Sequence, residues 1–165
     1  MATLNTVLLF LHIFSGASWF GGVLLFGMVV GPTIGDLTPA TSGEVVIKML
    51  PKILRYLMIF VGLTPILGLL VVFSAPGGMS ALAPTTTYGM FISAGALLSL
   101  VTWVVFFGVA YPTGRKIVAI TKEFVKDQKP PPPGLPKLAM RLKTSAGVGL
   151  VLLIAILICM VAATS

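Results

Sequence analysis

The stretch LNTVLLFLHIFSGASWFGGVLLFGMVV, residues 4–30, contains no Asp, Glu, Lys or Arg. About 20 apolar residues in a helix cross the roughly 30 Å of hydrocarbon in a bilayer, so this run is long enough to span it. A membrane β-barrel needs short strands of alternating polarity, and this run is continuous. Three further uncharged runs follow, approximately at 56–73, 88–110 and 144–163. The expected fold is an all-α integral membrane protein: one four-transmembrane-helix bundle over residues 1–165, with spans near 4–30, 56–73, 88–110 and 144–163.

Composition points the same way. Hydrophobic residues make up 57% of the chain and charged residues 9%, against about 25% charged in an average soluble domain. Mean hydropathy is +1.09. No Lys or Arg precedes the first run, which is also longer than the apolar core of a secretory signal, so it reads as a retained helix.

Charge sets the expected orientation. Lys48, Lys52 and Arg55 lie in or just after the first loop, and the other eight cations, Arg115 through Lys143, lie in or beside the third. The segment 74–87 and both chain ends carry no charged side chain, while Asp36, Glu44, Glu123 and Asp127 share the basic side. The positive-inside rule then predicts a multi-pass protein of the cytoplasmic membrane, both termini outside, with a basic cytoplasmic loop, 111–143, between helices 3 and 4. A net charge of +7 suits a surface beside anionic lipid. No aromatic and basic reading surface accompanies it, so no nucleic acid is expected as a partner.

Local signals mark the loops. Thr41 and Glu44 have capping-box spacing and Glu44 stands four residues before Lys48, which predicts a helix starting near Ser42, with Pro51 bending it at the membrane surface. Ile117, Ile120, Phe124 and Val125 recur at helical spacing among Arg115, Lys116, Lys122, Lys126 and Lys129, predicting a helix that lies in the interface or extends span three. Pro130 to Pro133 end it as a stiff spacer. Residues 74–87, rich in Pro, Gly, Ser and Thr, form a connector. Pro65, beside Thr64 and Gly68, marks a kink in helix 2.

Ionisable groups inside a membrane are expensive and mark functional sites by default, and His12 is the one such side chain within the spans. Ser15, Gly16, Trp19 and Val23 fall on or near its helical face, with Gly22 at the edge. Small residues there suit a flat ligand beside the imidazole, and equally a closely packed helix that His12 bonds across the interface. One His and one distant Cys159 do not make a zinc site, no carboxylate shares the depth of His12 for a catalytic triad, and no phosphate-cradling glycine loop is present. Haem and copper remain: imidazole is an axial ligand for haem iron, and copper(I) takes imidazole with thioether sulfur, for which Met28, Met58, Met90 and Met160 lie within or close to spans, Met28 and Met90 being the candidates. Cys159 reads as a small buried hydrophobe.

The run Leu11-His12, followed by Ile13 to Ser18 and then Trp19-Phe20-Gly21-Gly22, resembles the first-helix signature of the CopD-like copper-resistance membrane proteins and the HemJ type of protoporphyrinogen oxidase. The resemblance covers about twelve residues closely; elsewhere it is one of architecture. It implies that His12 is the haem-ligand position, with Trp19, Gly21 and Gly22 shaping the helix contact around it. Those oxidases also depend on a lysine in a later membrane helix, and the third span here has none.

The expectation is a CopD/HemJ-like protein binding haem b, or a related metal ligand, through His12, in electron transfer or cofactor handling. Ser15, Gly16, Trp19, Gly22 and Trp103 would line the ligand. It would act as a homo-oligomer or with other membrane subunits. Two alternatives stand beside it: a structural accessory subunit of a larger membrane complex, and copper transport using His12, Met28 and Met90.

Overall fold

A computed structural model describes residues 2–127 and 130–164. Lys129 lies outside the described residues, in which no strand occurs. Four helical runs are long and apolar enough to cross a membrane: α1 (Leu4–Gly35), α2 (Pro39–Ser74), α3 (Thr87–Lys126) and α4 (Leu135–Ala162). The bilayer environment follows from their apolar surfaces. Leu9, Phe10, Ile13 and Phe14 on α1 are exposed, as are Leu97, Leu100 and Val104 on α3.

The helices outrun the uncharged spans. α2 and α3 contain 36 and 40 residues, about 54 and 60 Å at 1.5 Å per residue, well beyond the roughly 30 Å of hydrocarbon. The excess lies at the charged end. Residues 111–126 continue α3 rather than forming a separate interfacial helix, and α4 begins at Leu135, so most of the expected loop 111–143 is helical. There α2 and α3 approach closely through two glycines. A Cβ on Gly43 would lie 2.8 Å from Val125 Cγ2, and one on Gly114 would lie 2.8 Å from Leu54 Cδ1.

α2 starts earlier than the capping-box spacing predicts. Thr38 is its N-cap, accepting from Thr41 N at 3.5 Å, and Pro39 occupies the first turn, where its fixed φ suits helix and its missing N–H costs nothing. Glu44 and Lys48 pair at 3.2 Å as expected. Pro51 and Pro65 both lie within continuous α-helix. The 74–87 connector contains a short 3₁₀ turn, Gly78–Leu82, entered through Gly77 at φ 92°, a left-handed conformation that glycine adopts without steric penalty.

α1 and α3 each contain one π-helical turn, Leu25–Val30 and Phe106–Ala110. Gly31 N donates to Phe26 O and Tyr111 N to Phe106 O, each five residues back. Both turns lie just before a proline, Pro32 and Pro112, which lacks a donor and crowds the carbonyl four residues earlier; widening the turn relieves the clash. The sequence repeats the cue, Phe26-Gly27 before Pro32-Thr33 and Phe107-Gly108 before Pro112-Thr113.

The tightest contacts are α1 with α2 and α3 with α4, and the charged-end extension of α3 packs on α2. Trp19, Leu57, Val61, Phe106, Leu142 and Leu153 are core residues drawn from all four helices. Trp19, Leu57, Phe106 and Leu142 among them line a cavity of about 50 Å³, almost wholly apolar, with Thr102 and Ser145 at its wall.

Candidate functional site

The α1–α2 seam is closed by a ladder of polar and small-residue contacts. At the uncharged end Ser74 Oγ donates to Asn5 Oδ1 at 3.0 Å. Two turns deeper, His12 Nδ1 stands 2.9 Å from the backbone carbonyl oxygen of Thr64. The next turn of α1 places Ser15 Oγ 2.8 Å from Thr64 Oγ1, which in turn donates to Phe60 O at 2.7 Å. Deeper still, Tyr56 Oη donates to Ser18 O at 3.0 Å.

Glycines bring the two helices together between these bonds. A Cβ on Gly68 would lie 2.8 Å from His12 Cε1, so the imidazole fills the notch that Gly68 leaves. A Cβ on Gly22 would lie 2.7 Å from Tyr56 Cε1, and one on Gly16 would be in ordinary contact with Thr64 Cγ2 at 3.7 Å. Ser15 is buried at 2% exposure, and His12 is half-buried at the edge of the seam.

The carbonyl of Thr64 can only accept, so Nδ1 of His12 carries the hydrogen in this contact. In a neutral imidazole that leaves Nε2 as the nitrogen with an available lone pair. Metal-ligating histidines commonly have their second nitrogen anchored in this way, which fixes both ring orientation and tautomer.

The structure thus gathers His12, Ser15 and Gly16 around Thr64, with Gly22 farther along the same seam. Trp19 points into the bundle, where it lines the small central cavity. The remaining candidates lie elsewhere. Trp103 is 41% exposed and tilts against Phe107, with ring centroids 4.7 Å apart. It stands about 24 Å along α3 from its uncharged end, whereas His12 is about 12 Å along α1. Met28 is 68% exposed and about 24 Å along α1 from His12, and Met90 is in the first turns of α3. Among the described residues no three His, Cys, Asp or Glu side chains converge.

The α2 side of the seam, Tyr56, Thr64 and Gly68, is what the α1 face alone does not disclose. Thr64-Pro65 and Gly68 stand out in the sequence as a helix irregularity, which signals the location but not the partner. Comparison of the chain with family models, with curated proteins and with solved structures gives no match in any of the three.

Proposed function

We propose that this four-helix membrane protein binds haem b through His12 Nε2, and that it serves in electron transfer or cofactor handling, alone or as a small subunit of a membrane redox complex. The observation that carries the reading is the His12 Nδ1 contact with Thr64 O, which leaves Nε2 as the ring nitrogen with an available lone pair. His12 would hold the iron through its anchored imidazole, and the haem would supply one-electron redox chemistry there. His12 binds, Thr64 O holds the ring's orientation, and Gly68 and Ser15 set how closely α2 approaches it.

The central cavity, about 50 Å³, is far below the roughly 300–1,000 Å³ of ordinary cofactor pockets. The central cavity is too small for a macrocycle, so in this reading the haem would lie at the surface of the α1–α2 seam beside His12, where a second copy or another membrane subunit would close the site. In this reading both termini face outward and the extended charged ends of α2, α3 and α4 face the cytoplasm, as the distribution of Lys and Arg supports.

A second reading is favoured by the filled glycine notches. Gly22 is occupied by Tyr56 and Gly68 by His12, which is what a histidine acting purely as a helix clamp in a structural accessory subunit would show. Copper transport gains nothing from the separate positions of His12, Met28 and Met90.

The deciding experiment is an optical spectrum, oxidised and dithionite-reduced, of protein purified from its native membrane in mild detergent, with iron and copper assayed on the same sample. A Soret band that shifts on reduction and vanishes in a His12→Ala variant that still accumulates is the expected result. A colourless, metal-free preparation would reject haem and leave the clamp.

A further inference from the structure

The charged end holds a second concave feature, remote from His12. A cavity of about 310 Å³ opens between the extension of α3 and the first turns of α4. Each helix gives it a stripe: Lys116 and Ile120, a turn apart on α3, and Lys137 and Arg141, a turn apart on α4, with Leu135 and Leu138 beside them. The three cations are exposed and the three apolar side chains half-buried, so the cavity offers both charge and uncovered hydrocarbon. No acidic side chain lines it, and the ion pair between Lys48 and Glu44 involves none of the three cations.

Depth decides which phase fills it. Ile120 lies nine residues beyond Tyr111, the aromatic residue at the end of the uncharged run of α3, or about 13.5 Å along the helix. Leu135 lies nine residues before Thr144, where the uncharged run of α4 begins, also about 13.5 Å. The headgroup layer on each face of a bilayer is about 5–7 Å thick. The apolar side of the cavity is therefore farther from the hydrocarbon than the headgroups are, and an occupant that covers Ile120 and Leu135 comes from water.

We infer that this cavity binds a soluble phosphate monoester with a small apolar body, the phosphate lying among Lys116, Lys137 and Arg141 and the body against Ile120, Leu135 and Leu138. Charge selects the phosphate. A monoester carries close to two negative charges at pH 7, which three cations with no acid among them complement, and the planar fork of Arg141 suits a pair of phosphate oxygens. Size selects a small molecule: about 310 Å³ is at the lower limit of ordinary small-molecule pockets, roughly 300–1,000 Å³. That is room for a body of one or two rings rather than for a peptide laid along a groove. Inorganic phosphate would leave the apolar side uncovered.

The test uses the full-length protein in phosphatidylcholine nanodiscs, titrated calorimetrically with naphthyl phosphate or with inorganic phosphate against empty discs. The wild type is expected to bind the naphthyl ester about 15-fold more tightly, the gain from covering two methylene equivalents of apolar surface at roughly fourfold each. K116Q/K137Q/R141Q should bind it about 30-fold more weakly than the wild type, roughly threefold for each exposed cation. K48Q/K52Q/R55Q removes three charges from the same end of the molecule but outside the cavity, and should change binding by less than about threefold. I120A/L138A should lose the preference for the ester and leave inorganic phosphate unaffected. No binding, equal affinity of the wild type for both anions, or equal weakening in the two triple variants would overturn the site. An anionic lipid retained from the native membrane by the wild type and not by the cavity variant would give the cavity to a lipid and overturn the soluble assignment. If the triple variant does not fold, R141Q alone should lose about threefold, and unchanged binding in R141Q would reject the inference.

Discussion

The imidazole of His12 occupies the space that a side chain at residue 68 would need: a Cβ on Gly68 would lie 2.8 Å from Cε1 and 3.1 Å from Nδ1. Gly68→Ala must therefore displace the ring, and with it the hydrogen bond to Thr64 O. A loss of about 1–3 kcal/mol is expected, read as a lower unfolding midpoint in mild detergent. Gly62→Ala is the internal control, because a Cβ there meets nothing within 4 Å; it should be neutral or stabilising by up to about 1 kcal/mol. Equal behaviour of the two variants would contradict the notch.

Ser15 and Thr64 are coupled through a buried hydroxyl pair at 2.8 Å. Thr64→Val and Ser15→Ala should each destabilise the seam, and the double variant should lose less than the sum. Interhelical hydrogen bonds in membranes average about 0.6 kcal/mol and reach about 1.7, which bounds the coupling expected from a double-mutant cycle. Strict additivity would show that the contact contributes nothing. Neither substitution removes the Thr64 carbonyl, so a haem spectrum, once observed, should survive both.

Neighbouring residues at the charged end differ in consequence. Gly43→Val sets a branched side chain against Val125, itself stiff at χ1, and should destabilise by about 1–3 kcal/mol. Glu44→Gln breaks a solvent-exposed pair with Lys48 and should cost only about 0.3–0.5 kcal/mol, less in high salt. Denaturation of the two variants side by side tests this, and comparable losses would mean that the packing of α2 on α3 is looser than described.

Orientation is open to direct labelling. In a Cys159→Ala background, a cysteine at Ser80 should react with an impermeant thiol reagent on intact cells, and one at Thr38 only after the membrane is opened. The opposite pattern would invert the assignment made from Lys and Arg.

The spans were legible because an uncharged run of about 20 residues has few other uses. Their continuation was not. In residues 39–55 and 111–126 the apolar positions are interleaved with Lys and Arg, so hydropathy stops at the membrane surface while the helix does not. The start of α2 was misplaced because Thr41 and Glu44 have the spacing of a cap, whereas Thr38 followed by Pro39 supplies one sooner. Helical spacing placed Ser15 and Gly16 on the face of His12, but which side chains of α2 meet that face is a tertiary fact. Thr64 and Gly68 became partners only when the antiparallel register of the two helices was known.

The two π turns give the bundle a tolerance that its other helices lack. A π turn holds one residue more than the α-helical turn it replaces, and one residue corresponds to about 100° of rotation. Deleting a single residue within Phe106–Ala110 would return that turn to ordinary α-helix, restoring the proline clash that the wide turn relieves, but would leave Thr102 above it and Ile117 below it in the same angular phase. α2 has no such slack, since it is α-helical throughout. A one-residue deletion midway along it would swing either Leu50 and Leu54 or Val61 and Thr64 about a quarter-turn out of the core. A one-residue deletion would therefore preserve the core's angular phase in α1 or α3, whereas in α2 it would turn one end of the helix out of register with the other.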